Sequence, residues 1–314
     1  MQLVLSLFSG IGLLDKAFKE AGFCVVSAGD IINGSHFDIR DFAGLKNKFD
    51  GIIGGSPCQD FSTLKRNRGN YSLEMMYEFL RVVSDCEPDW YLLENVKGVP
   101  NVTELLKNSV TLQDKNVNVT ELLKYSHQRI DINQGWYDNY SRLRHIQFGS
   151  KNDLYLNIPR GTMKDNILGG CALASDDRSF KELCSIQGLE PDFDLPDFNV
   201  KGKKKVVGNG VPLSIGRVLA KAVLDVTVPG QIFVTLQHQT FSKISQGNCD
   251  ILKRDIPAIK KERHKYQLPD TFTLNSRYAK ERRCACGCKR VVTGRKIYYD
   301  ASCRKRAQRI RNIL

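Results

Sequence analysis

The chain has no long apolar segment. Nowhere in its 314 residues does an apolar run approach the roughly 18 residues that a membrane-spanning helix requires. The apolar start Leu3–Phe8 has no basic segment before it and no small-residue cleavage site after it, so we expect no secretory signal. We therefore expect a cytoplasmic protein without a membrane partner. Hydrophobic residues still make up 41% of the chain, which excludes a wholly disordered protein.

Acidic residues are in deficit, but only in one part of the chain. The 47 Lys and Arg outnumber the 34 Asp and Glu, which gives a net charge of +13. Lys243–Leu314 contains 20 basic and 6 acidic residues, whereas Met1–Ser242 contains 27 and 28. A nearly neutral body followed by a basic segment favours a catalytic domain joined to a polyanion-binding module. A solvated basic tail is the alternative.

Short apolar strands alternate with helical patterns over the first hundred residues. Such alternation predicts a parallel α/β sheet, in which ligands lie beyond the carboxyl ends of the strands. The predicted strands are Leu3–Phe8, Phe23–Ala28, Gly51–Gly54 and Trp90–Leu93, and the predicted helices are Leu13–Ala21, Leu73–Cys86 and Leu213–Leu224. The sequence NVTELLK occurs at Asn101–Lys107 and again at Asn118–Lys124, and we expect a local duplication in a surface helix.

A glycine-rich turn, Phe8–Gly12 (FSGIG), follows the first strand. Glycines let a ligand approach the backbone closely, and the helix start beyond the turn offers unpaired N–H groups. The turn lacks a complete GxGxxG pattern, so a dinucleotide is not favoured. Asp30 follows the second strand, where an acid commonly binds ribose hydroxyls. Asp30, Asp38 and Asp41 can equally be caps or surface groups.

Cys58 stands in the most specific motif of the chain, Gly54–Ser62 (GGSPCQDFS). A cysteine on a Gly/Pro-shaped turn after a strand, near a helix N-terminus, can have a lowered thiol pKa and act as a nucleophile. A buried inert cysteine is the alternative. Glu94 comes directly after the next predicted strand, so it can face Cys58 across one cleft and suits acid–base chemistry.

The ordered motifs FSGIG, GGSPCQDFS and ENV resemble those of the DNA (cytosine-5)-methyltransferase family. Two later positions depart from the family pattern, since Tyr140 stands where Gln is usual and Gly210 where Ala is usual. The resemblance covers about residues 1–225 and implies a Rossmann-like methyltransferase domain that uses S-adenosylmethionine. Its later blocks match at Tyr140–Arg144, Arg178–Leu189 and Gly208–Pro212.

The resemblance implies a mechanism in which the target cytosine is flipped out of the duplex. Cys58 attacks C6 of the base, and Glu94 binds and protonates the N3 side, which stabilises the charge that the attack creates. Transfer of the methyl group to C5 gives 5-methylcytosine. Arg142 and Arg144 would position the base and a nearby phosphate. The implied catalytic residues are Cys58, Glu94, Arg142, Arg144, Pro57 and Asn95, the last two shaping the pocket.

A site for S-adenosylmethionine is implied in the same way. The glycine-rich turn would surround the methionine and ribose parts, and Asp30, where the family usually has Glu, would bind the ribose hydroxyls. Asp38 and Ile39 would bind the adenine edge, and the last block would close the site. The implied cofactor residues are Phe8, Gly10, Gly12, Leu13, Asp30, Asp38, Ile39, Asn209 and Val211.

Target recognition is where the chain departs most from the family. A large DNA-reading domain usually precedes the penultimate block, but only Ser150–Asp177 fills that interval here, too few residues for a separate core. We expect either loose recognition or recognition by the basic C-terminal quarter. Lys65–Asn70 falls where the family has a loop that closes over the flipped base, and an ordinary basic surface loop is the alternative.

A cysteine cluster near the C-terminus predicts a structural zinc site. Thiolates suit tetrahedral zinc, although the C-x-C-x-C spacing is tighter than the usual C-x2-C pairs, and unliganded thiols are the alternative. The run Arg304–Arg311 has helical spacing and can lie on phosphates. The candidate zinc ligands are Cys284, Cys286, Cys288 and Cys303.

These patterns predict a DNA (cytosine-5-)-methyltransferase with three parts: a catalytic domain at 1–225, a basic recognition or linker region at 226–281, and a zinc-finger-like module at 282–314. We expect double-stranded DNA as the partner, a monomer, and a cognate restriction endonuclease in the same bacterial or phage-infected cell. The alternatives are a catalytically silent DNA-binding relative and an RNA cytosine-5 methyltransferase.

Overall fold

A six-stranded sheet forms the centre of the molecule. The computed structural model describes residues 1–31, 38–61, 69–163 and 167–228. The strand order is β2-β1-β3-β4-β7-β5, with the first four strands parallel and β7 antiparallel to both of its neighbours. These strands are β1 Leu3–Leu7, β2 Cys24–Ser27, β3 Gly51–Gly55, β4 Trp90–Asn95, β5 Ser126–Asn133 and β7 Leu143–Ser150.

Helices cover both faces of this sheet. The helices α1 (Leu13–Glu20) and α8 (Leu213–Thr227) pack on one face, where Phe18 and Leu219 meet Trp90 in a buried cluster. The helix α2 (Tyr71–Cys86) packs on the other face, beneath a cluster that contains Phe79 and Tyr91. Within the described ranges, no helix is long and apolar enough to cross a membrane.

The four parallel strands and the three helices were predicted correctly, with ends that move by up to three residues. The antiparallel pair β5 and β7 was not predicted. β4 is also longer than expected, because it runs to Asn95. Glu94 and Asn95 are therefore the last two residues of a strand, not the residues that follow it.

The NVTELLK repeat forms two separate helix starts, with Thr103 and Thr120 each at the second residue of a helix. The helices α3 (Val102–Leu106) and α5 (Val119–Leu122) are separated by α4 (Ser109–Asp114). The two asparagines of the repeat cap them: Asn101 N donates to Glu104 Oε2 at 3.3 Å, and Asn118 Oδ1 accepts from Glu121 N at 3.2 Å. Val102 and Val119 follow the caps and are buried, so each copy ties its helix to the core.

A smaller layer lies beside the sheet. A two-stranded sheet pairs β6 (Tyr140–Ser141) with β8 (Gly169–Gly170), and α6 (Phe180–Ile186) packs on α7 (Val200–Asn209). Its buried residues include Leu183 and Val207. This layer brings the last sequence block, Gly208–Pro212, towards the carboxyl ends of the parallel strands, where α1 begins.

Candidate active site

The glycine-rich turn after β1 has an unusual backbone. Phe8, Gly10 and Gly12 all have φ in the left-handed region, at 53°, 54° and 78°. Gly12 N donates to Ser9 O at 2.7 Å, which closes the turn just before α1 begins. Such a conformation is costly for Phe8 because it has a Cβ, and strained residues of this kind gather at functional sites.

Asp30 and Asp38 reach this region in different ways. Gly10 N donates to Asp30 Oδ2 at 3.0 Å, so Asp30 lies against the turn as expected. Asp38 instead caps a short 3₁₀ helix, Ile39–Asp41, and is paired with Arg40 through Nε at 3.0 Å and Nη2 at 2.6 Å. The Arg40 guanidinium lowers the pKa of Asp38. Ile39 is buried, and the adenine role of Asp38 and Ile39 stays a prediction.

The last sequence block closes on the start of α1. A Cβ added to Gly210 would lie 2.5 Å from Leu13 Cδ1, which explains glycine where the family usually has alanine. Val211 is buried, whereas Asn209 is exposed at the end of α7. Gln187, to which the sequence assigned no role, holds the block in place: its Nε2 donates to Gly210 O at 3.0 Å and to the carbonyl of Val207.

Cys58 lies on the turn after β3 and is half-buried. Among the described residues that follow it, 59–61 form a turn and α2 begins at Tyr71. Burial raises the pKa of the Cys58 thiol, and the charge of Glu94 adds to that effect, while Arg144 and Arg142 act against it. The expectation of a lowered thiol pKa was therefore wrong, because desolvation outweighs the nearby guanidinium groups.

Glu94 and Arg144 form a largely buried ion pair at the carboxyl end of β4. Arg144 Nε lies 2.7 Å from Glu94 Oε1, with the side chains 13% and 9% exposed. A Cβ on Gly55 would come within 3.1 Å of the other Glu94 oxygen, so glycine leaves room for the carboxylate. The structure thus joins two residues that the sequence proposed separately.

The side chain of Arg142 is bound to backbone carbonyls inside the protein. Its side chain is buried, and it donates through Nη1 to Ala172 O at 2.8 Å and through both terminal nitrogens to Gly208 O at 3.1 Å. Burial and the charge of Arg144 lower its pKa. In this structure the guanidinium is bound to carbonyl oxygens, and the expected role of Arg142 towards the base and a phosphate stays a prediction. Arg142 holds the end of α7 beside the site.

Two further side chains fix the turn that carries Pro57 and Cys58. Asn95 Nδ2 donates to Ser56 O at 3.1 Å and to Ser56 Oγ at 2.8 Å. The buried Asp60 accepts from Ser72 N at 2.8 Å and from Gly69 N at 3.1 Å. Asp60 was part of the motif but received no role from the sequence. Its position inside GGSPCQDFS is the signal that could have indicated one.

Several expected site residues lie outside the described ranges. These are Lys65–Arg68 of the basic loop and the four candidate zinc ligands Cys284, Cys286, Cys288 and Cys303. In the part of the chain that the structure describes, no three His, Cys, Asp or Glu side chains are grouped so as to hold a metal ion.

The sheet has a glycine-rich turn after β1 and an acid after β2, at the carboxyl ends of the strands where ligands of α/β folds commonly bind. A family model described as C-5 cytosine-specific DNA methylase matches residues 3–166, just over half of the chain. The chain belongs to this family, as the sequence motifs predicted. Cys58, Glu94, Arg142 and Arg144 lie inside the match, and the blocks from Arg178 onward lie beyond it.

Individual relatives share shorter segments. The Type II methyltransferase M.FnuDI of Fusobacterium nucleatum is 38% identical over 31% of this chain and 33% of its own length. The orphan methyltransferase M.SPRI of Bacillus phage SPR is 26% identical over 31% and 27%. The matched segments thus span about a third of these relatives. Among solved structures, the Entamoeba histolytica methyltransferase EhMeth aligns with 72% of this chain and 98% of its own, at 13% identity and a TM-score of 0.49.

Proposed function

We propose that the chain is a DNA cytosine-5 methyltransferase that uses S-adenosylmethionine and produces 5-methylcytosine. The observation that carries the proposal is the placement of the Cys58 thiol in the field of the buried Glu94–Arg144 pair, at the edge of the sheet where ligands bind. A nucleophile, an acid–base group and a cation that holds it are the parts that this reaction needs.

Cys58 supplies the covalent chemistry. Its target is buried in the base stack of duplex DNA, so the cytosine must first leave the stack. The thiol loses its proton to solvent, sulfur forms a bond to C6, and the electron pair of the C5–C6 double bond becomes available at C5. After C5 has been methylated, loss of the C5 proton to solvent restores the double bond and expels Cys58 as thiolate.

Glu94 stabilises the ring while Cys58 is attached. Its carboxyl group binds the N3 side of the base in the protonated form and gives N3 that proton as negative charge develops there. When Cys58 is expelled, N3 returns the proton to Glu94. Arg144 orients Glu94 through the 2.7 Å contact and places a positive charge beside the ring. Pro57 and Asn95 keep the turn of Cys58 in register with the end of β4.

The residues after β1 and β2 fit S-adenosylmethionine. A Cβ added to Gly10 would meet no atom within 4 Å, so the turn leaves open space beside its backbone. Asp30 lies against that turn with a carboxylate suited to ribose hydroxyls. Leu13 and Val211 would form the apolar floor. When bound, S-adenosylmethionine supplies the electrophilic methyl group that C5 takes up.

Duplex DNA is the proposed substrate because the family and the names of the relatives refer to DNA methylation and to Type II systems. The basic segment from Lys243 onward supports a polyanionic partner. A cognate restriction endonuclease, one short target sequence, action as a monomer and a structural zinc ion are parts of the same proposal.

The test is transfer of labelled methyl groups to unmethylated duplex DNA, with bisulfite sequencing of the product. The wild-type chain should label cytosines in one repeated context, and Cys58→Ala should abolish the label while keeping cofactor affinity. If only RNA were labelled, the substrate would be RNA and not DNA. If the chain bound the cofactor but labelled neither nucleic acid, it would be a catalytically silent relative.

A further inference from the structure

Helix α7 carries an unusual concentration of positive charge. Val200–Asn209 contains four lysines and no acidic residue. Of its three buried residues, Val206 and Val207 lie on one side, whereas Gly208, in the last turn, faces the other way and comes close to the backbone of Leu173. At about 100° per residue, Lys201, Lys204 and Lys205 fall together on the opposite side. We call these three side chains the lysine face of α7.

The fourth lysine of α7 has partners within the protein. Lys203 is paired with Asp194, and its ammonium lies 5.5 Å from the centre of the Phe180 ring. The three lysines of the lysine face have no such partner among the described residues, and Lys201 and Lys205 are exposed. Because like charges at i and i+4 repel each other along a helix, a face of this kind is unfavourable without an anionic partner.

The lysine face begins beside the active site. Gly208, in the last turn of α7, accepts two hydrogen bonds from Arg142. Arg142 is two residues from Arg144, which holds Glu94. At about 1.5 Å per residue, Lys205 lies about 4.5 Å along the axis from Gly208, and Lys201 lies about 6 Å further on. The lysines therefore begin one turn from the residue that Arg142 contacts.

We infer that the lysine face of α7 binds the phosphate backbone of the duplex whose target cytosine enters the site. This inference rests on the proposed function and adds a partner surface to it. The interval Ser150–Asp177 is short, so few residues there can position the duplex, and backbone contacts from the rest of the catalytic body would add to those of the basic C-terminal quarter. Phosphate contacts of this kind fix register and carry no sequence information.

The experiment compares two triple variants of the full chain that remove the same charge. K201Q/K204Q/K205Q removes the lysine face. K19Q/K48Q/K115Q removes three exposed lysines elsewhere, two of them near the starts of β2 and β3. The affinity for an unmethylated duplex is measured at several salt concentrations, together with cofactor affinity.

The lysine-face variant should reduce the slope of log affinity against log salt by about 3, one for each phosphate contact. The control variant should keep the wild-type slope, and both should bind cofactor normally. K201R/K204R/K205R should also keep the wild-type slope, which separates lost charge from damaged folding.

Equal slopes for the two glutamine variants would overturn the inference that the lysine face binds the phosphate backbone. The proposed function would stay intact, provided that the wild type methylates duplex DNA. A wild type without salt-dependent duplex binding would overturn both. A slope that falls for duplex RNA but not for duplex DNA would also overturn the inference.

Discussion

The surroundings of Cys58, the proposed nucleophile, oppose the ionised form of its thiol. Burial and Glu94 raise the pKa of its thiol, and Arg144 and Arg142 lower it. A raised thiol pKa leaves a smaller fraction of thiolate at a given pH than an ordinary cysteine has. This protects a half-exposed cysteine from oxidation, because oxidation follows thiolate character.

Charge removal on either side of Cys58 should move its pKa in opposite directions. Glu94→Gln removes a negative charge, so the midpoint for alkylation of Cys58 by iodoacetamide should move to lower pH by about one unit. Arg144→Gln removes a positive charge and should move it to higher pH. Mass spectrometry of the Cys58 peptide gives the rate at each pH.

The peptide of the deeply buried Cys86 is the internal control, since burial raises its pKa to about 12 and it should stay unmodified in all variants. Shifts of the same sign in the two variants would contradict an electrostatic origin.

Arg142 differs from Arg144 in what it binds, and one substitution separates their roles. Arg142→Gln removes three charge-assisted hydrogen bonds to backbone carbonyls, so the free energy of unfolding should fall by about 1–3 kcal/mol in urea titrations. The salt dependence of DNA binding should stay unchanged. Arg217→Gln, in an exposed pair with Glu20, should cost less than about 1 kcal/mol. If Arg142→Gln left the stability unchanged and reduced the salt dependence of DNA binding, Arg142 would contact a phosphate and would not stabilise the fold.

At the scale of elements, the parallel half of the sheet could be predicted and the antiparallel half could not. Leu3–Leu7 and Trp90–Asn95 are almost continuously buried, so their apolar runs show in the sequence. β5 (SHQRIDIN) is mostly polar and lies at the edge of the sheet, where burial is partial. The alternation of polar and apolar residues in β5 is brief. Its partner strand β7 begins at Leu143, between Arg142 and Arg144, in a segment that resembles a functional motif and not a strand.

The contact between α1 and the last sequence block gives a test at this scale. Gly210→Ala would place a Cβ 2.5 Å from Leu13 Cδ1, and overpacking of this kind costs about 1–3 kcal/mol of unfolding free energy. Leu13→Val shortens the side chain, so the double variant should lose less than the sum of the two single variants. Urea denaturation measures all three, and additive losses would show that the two residues do not compete for space.

At the scale of the whole molecule, the sequence indicated which residues meet at the proposed site more readily than it indicated their contacts. Cys58, Glu94 and Arg144 follow from motif order, and the structure brings them together. The positions of Arg142 and Asp38 could not be predicted, because their partners are a distant carbonyl and a neighbouring arginine. The order of the motifs indicates which residues belong to the site. The burial and the hydrogen bonds of those residues depend on neighbours that only the folded chain brings close.

The C-terminal module gives a prediction for the full chain. If four thiolates bind a metal there, the purified protein should contain about one zinc ion per chain by mass spectrometry of the elements. Replacing Cys284, Cys286, Cys288 and Cys303 together by serine should remove it. Cys249→Ser is the matched control and should retain the metal. Zinc-free wild-type protein, purified without chelators, would contradict the site.

The turn that closes on α1 is held almost entirely through main-chain oxygens. Arg142 donates to the carbonyls of Ala172 and Gly208, and Gln187 to those of Val207 and Gly210. Every residue carries a carbonyl, so these hydrogen bonds do not depend on the side chains at the acceptor positions. Space sets the limit there instead, since a Cβ at Gly208 would lie 2.3 Å from the carbonyl carbon of Leu173 and one at Gly210 would lie 2.5 Å from Leu13 Cδ1. The acceptor positions are therefore restricted by the space around them, and the donors Arg142 and Gln187 by the hydrogen bonds that they make.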